Sequence, residues 1–117
     1  MRSPIIFVVF FALLMSAYGA DPTRAITVDE ARRKHLLTEF VRPAYPDEAK
    51  RHLWTGRGVF ELKFNPTTGR VREVHVVKST GHGILDASAI GALKRWTAKP
   101  GSIYALKPFP IEFTYTR

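Results

Sequence analysis

Gly58-Val59-Phe60-Glu61-Leu62-Lys63-Phe64, Asn65-Pro66-Thr67-Thr68-Gly69 and Arg70-Val71-Arg72-Glu73-Val74-His75-Val76-Val77-Lys78 form the stretch that decides the fold. Phe60, Leu62 and Phe64 alternate with Val59, Glu61 and Lys63, and in an extended chain alternate side chains lie on opposite faces. One face can enter a core while the other stays wet. Between the two apolar runs, Pro66 is preset near φ −65° and Gly69 is free to take a positive φ, so the chain reverses. Val71–Lys78 then pairs with the first strand as a hairpin.

Working outward, Ser79-Thr80-Gly81-His82-Gly83 breaks the second strand, and Leu85, Ala89, Ala92, Leu93 and Trp96 follow at one-face helical spacing. Pro100-Gly101 ends that helix. Phe109, Ile111, Phe113 and Tyr115 alternate with Pro110, Glu112, Thr114 and Thr116, which predicts a third strand close to the C-terminus. Upstream, Pro46 suits a first helical position, with Asp47 and Glu48 at the anion-favouring end and Lys50, Arg51 and His52 at the other. Gly56 stops this helix. Thr27 and Glu30 have capping-box spacing, and Ala31, Leu36, Leu37 and Phe40 predict a further short helix, ended by Pro43.

These elements predict an α+β fold with a β-β-α-β core preceded by a short helix. A strand followed by a helical crossover returns parallel to its start, so strand three runs parallel to strand two. If all neighbours are antiparallel, strand three lies against strand one. The result is a three-stranded antiparallel sheet of order 2-1-3 with two helices packed on one face. Strand three is then an edge, with one row of backbone groups unpaired.

The chain has 117 residues, 45% of them hydrophobic, a formal net charge of +8 and no cysteine. One domain is expected, without disulfides, a thiolate metal site or a thiol nucleophile. Its N-terminus has Arg2, an apolar run from Ile5 to Met15, and small residues at Ala17 and Gly19, the pattern of a secretory signal peptide over residues 1–19. The rival reading is an uncleaved anchor, because Pro4 to Ala20 carries no charge. Either way the remainder is exported, which speaks against nucleic acid as the partner of its basic surface. Residues 20–42 read as a linker containing the short helix, and 43–117 as the folded domain.

Tyr45-Pro46-x-x-Ala49, Gly58-Val59-Phe60-x-Leu62-x-Phe64, Gly69-Arg70-Val71-x-x-Val74-x-Val76-x-x-Ser79-x-Gly81, Leu85-Asp86-x-x-Ala89, Trp96 and Pro100 follow one another in a series. That series resembles the C-terminal domain of the TonB energy-transducer family. The resemblance implies a periplasmic domain whose last strand pairs with a box peptide of an outer-membrane receptor and which passes on force from inner-membrane motor proteins. The implied contact residues are Tyr45, Pro46, Ile111, Glu112, Phe113, Thr114 and Tyr115. Two departures weaken the motor connection. The apolar run contains no His, and the 25 residues from Ala20 to Ala44 extend at most about 90 Å.

Blander roles compete for several residues. Tyr45-Pro46 could simply start a helix and cover the end of the sheet. Trp96 and Leu93 belong to the core, while Trp54 beside Gly56 is open to either a buried or a partner-facing role. Arg57, Arg70, Arg72, Lys78, Lys94 and Arg95 read as a solvated basic surface. The four His residues lack ligand spacing, so no metal or other cofactor is expected. Ser79, His82 and Asp86 nominally supply nucleophile, base and orienter, but no nucleophile elbow accompanies them, and the domain is not expected to be an enzyme. Two function classes remain: a peptide-binding module working by strand addition, and an envelope interaction domain acting through its basic face or by edge-to-edge self-association.

Overall fold

The period-two pattern around Phe60 is built as read. The computed structural model describes residues 25–115, in the order β1 (Ala25–Ile26), α1 (Val28–Arg33), β2 (Leu37–Glu39), α2 (Asp47–Arg51), β3 (Gly56–Phe64), β4 (Val71–Lys78), α3 (Gly83–Leu93), β5 (Thr97–Ala98) and β6 (Ala105–Phe113). The apolar run at 5–15 and the cleavage site lie outside the described residues. Among the described residues no helix is long and apolar enough to cross a membrane.

In β3, Phe60, Leu62 and Phe64 are buried, whereas Lys63 is exposed. The turn to β4 closes on Asn65, whose Oδ1 accepts from the amides of Thr67 (2.8 Å) and Thr68 (3.2 Å). Gly69 has φ +77°, and a Cβ there would meet the Ala98 carbonyl oxygen at 1.9 Å, so a side chain is excluded both by conformation and by space. On the solvent face, Glu61 meets His75 (2.7 Å) and Lys63 meets Glu73 (3.5 Å), exposed pairs that set register more than they stabilise.

The antiparallel core β4-β3-β6 has the expected 2-1-3 order, but the sheet is four-stranded rather than three-stranded. β1 adds in parallel beyond β6, giving β1-β6-β3-β4, with Ala25 opposite Ala105 and Ile26 opposite Leu106. β6 is therefore not an edge over its first two residues. Two residues leave no periodicity to read; β1 exists because Ile26 is buried against a strand already in place.

The helix expected through Phe40 stops at Arg33. Thr27 caps it as read, its Oγ1 accepting from the Glu30 amide at 3.1 Å, but Lys34 is its C-cap and His35 then takes φ +55°. Leu37–Glu39 becomes β2, antiparallel to β5 in a second, two-stranded sheet. The span read as linker thus contributes to the fold: Ile26 and Ala31 are buried and the Val41 carbonyl accepts from Trp96 Nε1 at 2.8 Å. Helix α2 is also shorter than read, with Pro46 at its N-cap rather than inside it.

Ala49 of α2, Leu85, Ala89 and Leu93 of α3, and Ala31 of α1 share one core with the β3 aromatics. Trp96 lies just past α3, is buried, and packs its ring between Phe40 (4.4 Å) and Phe109 (5.6 Å). The last strand begins at Ala105, earlier than Phe109, and ends at Phe113. Thr114 and Tyr115 lie beyond it.

Candidate functional site: the open edge of the last strand

β6 pairs with β3 from Gly56↔Phe113 to Phe60↔Phe109, then again at Leu62↔Leu106 and Lys63↔Ala105, with an irregularity between. Antiparallel partners alternate between pairs that exchange backbone hydrogen bonds and pairs that do not. Pro110 has no N–H, so its pairing with Val59 must be of the second kind. Phe109, Ile111 and Phe113 consequently bond inward to β3. Pro110 and Glu112 turn their backbone groups toward the open side.

Side chains follow the same alternation. Phe113 is buried and Phe109 and Ile111 are half-buried against the core, while Pro110 and Glu112 are exposed. The edge from Lys107 onward has no strand beside it among the described residues. Near its start lies a cavity of about 390 Å³ lined by Thr27, Val28, Asp29, Pro108, Phe109 and Pro110.

Of the expected contact residues, Tyr45 and Ile111–Phe113 come together at the far end of β6. The Tyr45 ring meets Phe113 edge-on at 5.7 Å between centroids, and its hydroxyl donates to the Trp54 carbonyl. Tyr45 is thereby a bracket between the start of α2 and the end of β6. Ile111 sits opposite Gly58 and Glu112 opposite Arg57. Pro46, half-buried, caps the start of α2. Thr114 and Tyr115 are exposed and continue the chain past the last β3 partner, so the strand itself offers only Ile111–Phe113 of the expected set.

Trp54, left open by its sequence position, is half-buried and stacked between two imidazoles, His52 (4.6 Å) and His82 (5.0 Å). His82 therefore does not lie between Ser79 and Asp86. Asp86 instead accepts directly from Ser79 Oγ (2.5 Å), Thr80 Oγ1 (2.7 Å) and the Thr80 amide (2.8 Å). Partial burial opposes its charge, but these hydrogen bonds and the neighbouring His82 together hold its pKa below the usual carboxylate value. The arrangement clamps the β4–α3 loop. Gly56 explains why it must: a Cβ there would meet the Thr80 carbonyl oxygen at 2.2 Å, so the loop lies directly on the β3 residue that pairs with Phe113.

Sequence reasoning missed the outward placement of Pro110 and the histidine–tryptophan stack. A proline within an alternating run was the available signal for the first. The stack had none, because it joins residues 28 positions apart whose loops converge only in the fold.

The family model for the Gram-negative bacterial TonB protein C-terminal matches residues 41–115. Among solved structures, the solution NMR structure of the Pseudomonas aeruginosa TonB CTD is similar with a TM-score of 0.60 at 17% identity, covering 69% of this chain and 86% of that one. At that identity the likeness speaks for the fold. No curated protein matches the chain. The family is one of non-enzymatic envelope domains that act in TonB-type energy transduction through receptor interaction, and this chain, matched over more than half its length, belongs to the TonB C-terminal family.

Proposed function

We propose that the protein is a periplasmic peptide-binding domain that takes an extended box segment of an outer-membrane receptor as an added strand on β6. The single observation that carries this reading is the edge at Ile111–Phe113, unpaired among the described residues, bracketed by Tyr45 and continuous with exposed Thr114 and Tyr115. Strand addition draws affinity from main-chain hydrogen bonds and selectivity from alternate side chains. On this reading Tyr45 and Pro46 form the wall at the end of the groove, and the signal at 1–19 delivers the domain to the periplasm. Coupling to inner-membrane motor proteins is not part of the proposal, since the span Ala25–Val41 is spent on the fold and the apolar run carries no His. The test is titration of labelled receptor box peptides against the protein, with amide mapping. Perturbation centred on 111–115 is expected; uniform silence toward every box peptide overturns the reading.

A second reading, an envelope interaction domain that holds an anionic surface, is favoured by a different observation. Arg70, Lys94 and Arg95 line a cavity of about 380 Å³, with Glu39 the one carboxylate lining it among the described residues. Binding of this kind falls steeply as salt rises, whereas main-chain pairing is nearly indifferent to salt.

A further inference from the structure

We propose that Pro108 and Pro110 confine strand addition on β6 to the stretch from Ile111 onward, so that the domain accepts a short extended segment and resists pairing along its whole length, including pairing with a second copy of itself. The inference rests on β6 being the docking edge. An incoming strand needs donors and acceptors in alternation, two from each outward-facing residue. β1 already occupies Ala105 and Leu106. Pro110 faces outward and supplies only its carbonyl; Pro108, within the irregular stretch, has no N–H to offer in any direction. Both prolines are exposed, so neither is held there by core packing.

From Leu106 to Ile111 the edge is thus short of donors. A partner strand laid there can give its N–H groups to the β6 carbonyls, but its own carbonyls opposite the prolines find nothing. Unpaired edges are liable to self-pairing, and proline at outward positions is one way folds suppress it. Glu112 is the first outward residue that offers both groups, and Thr114 continues its phase past the last β3 pair. The chemistry selects a segment that needs only this short run, placed next to Tyr45 and Phe113 rather than beside α1.

The experiment compares the full chain with the Pro108→Thr/Pro110→Thr variant, using acetylated and amidated Thr-Val repeat peptides of about four and about eight residues as probes, chosen for their strand propensity. The parent should bind both lengths within about twofold of each other. Each restored donor should tighten binding of the longer peptide by about two- to tenfold while leaving the shorter one unchanged. Pro110→Thr alone should give part of the gain, and it stands in if the double variant fails to fold by circular dichroism. In sedimentation the parent should stay monomeric and the variant should dimerise with rising concentration. If the parent gains from peptide length, or the folded variants gain nothing, the proline restriction is wrong although β6 remains the docking edge. If neither peptide binds parent or variant while the sheet is intact, β6 is not a docking edge and both readings fall together.

Discussion

The two long strands at the margins of the main sheet are protected in different ways. β4 keeps every backbone N–H, is shifted against β3 at both of its ends, and carries Arg72, Glu73, His75 and Lys78 along only eight residues. Charge and irregular register discourage partners there without removing a single donor. β6 carries apolar residues at alternate positions and relies on β1 and two prolines for the first part of its length, leaving Ile111–Phe113 unguarded. An edge guarded over part of its length and open at one end differs physically from one guarded throughout. That difference, rather than exposure as such, is what supports the proposed docking of a partner on β6.

The strands also differ in what anchors them, and the largest expected effect tests this. Trp96 lies under β6 with its ring on Phe109 and its Nε1 hydrogen bonded to the Val41 carbonyl, so Trp96→Ala should destabilise the fold by about 3–5 kcal/mol. β4 is anchored by half-buried valines, and Val76→Ala should cost only about 1 kcal/mol. Chemical denaturation of both variants checks the contrast. Equal losses would show that β6 has no special anchor.

Next in size is the effect of proline on either side of the bonding alternation. Ile111→Pro removes an N–H directed at β3 and should cost about 1–3 kcal/mol of stability, because the Gly58 carbonyl loses its partner. Thr114→Pro lies beyond the last pair and in outward phase, so the fold should tolerate it while peptide affinity falls by about 0.5–1.5 kcal/mol. Denaturation and peptide titration on the same two proteins separate the effects. A folded, tight-binding Thr114→Pro would move the docking site off the strand end.

What the sequence disclosed and what it hid follow from the range of the interactions. The β3–β4 hairpin was legible because its partners are close in sequence and its turn is written in Asn65 and Gly69. Trp96 was legible as core because it continues the stripe of α3. β1 was not, since a two-residue strand takes its identity from Ala105 and Leu106, about 80 positions away. Leu36, Leu37 and Phe40 matched helical spacing, yet β5 offered Leu37 a partner in Ala98 and tertiary pairing overrode the local pattern. The candidate site was half legible. Apolar alternation marked β6, but Thr114 and Tyr115 continue that alternation after β3 has run out of partners.

The loop that backs the open end supplies a pH dependence. Asp86 has a folded-state pKa below its unfolded value, so its contribution is fully present above the unfolded value of about 3.9 and is lost as pH falls through the lower folded pKa. Asp86→Ala should cost about 1–2 kcal/mol at neutral pH through the lost bonds to Ser79 and Thr80. Its stability should then be flatter than the parent's in acid below about pH 4. Because Thr80 lies on Gly56, the variant should also show faster amide exchange at Phe113 than at mid-β4 positions such as Val74. Uniform acceleration over both strands would mean that the clamp supports the whole sheet and distinguishes neither edge.

The smallest effect separates bracketing from recognition at Tyr45. Its hydroxyl donates to the Trp54 carbonyl, and its ring meets Phe113. Tyr45→Phe keeps the ring and deletes only the donor, so stability should drop by about 0.5–1.5 kcal/mol. If the ring is the wall of the peptide groove, affinity should stay within about twofold, a difference under 0.5 kcal/mol. Tyr45→Ala then completes the comparison: it should lower affinity for box peptides more than it lowers stability relative to Tyr45→Phe, because both the wall and the support of Phe113 are gone. β4 supplies the control, since Val77→Ala truncates an exposed side chain on the other edge and should leave both measurements where they were. A loss of affinity for Val77→Ala with none for Tyr45→Ala would place the docking edge on β4, where the backbone donors are complete.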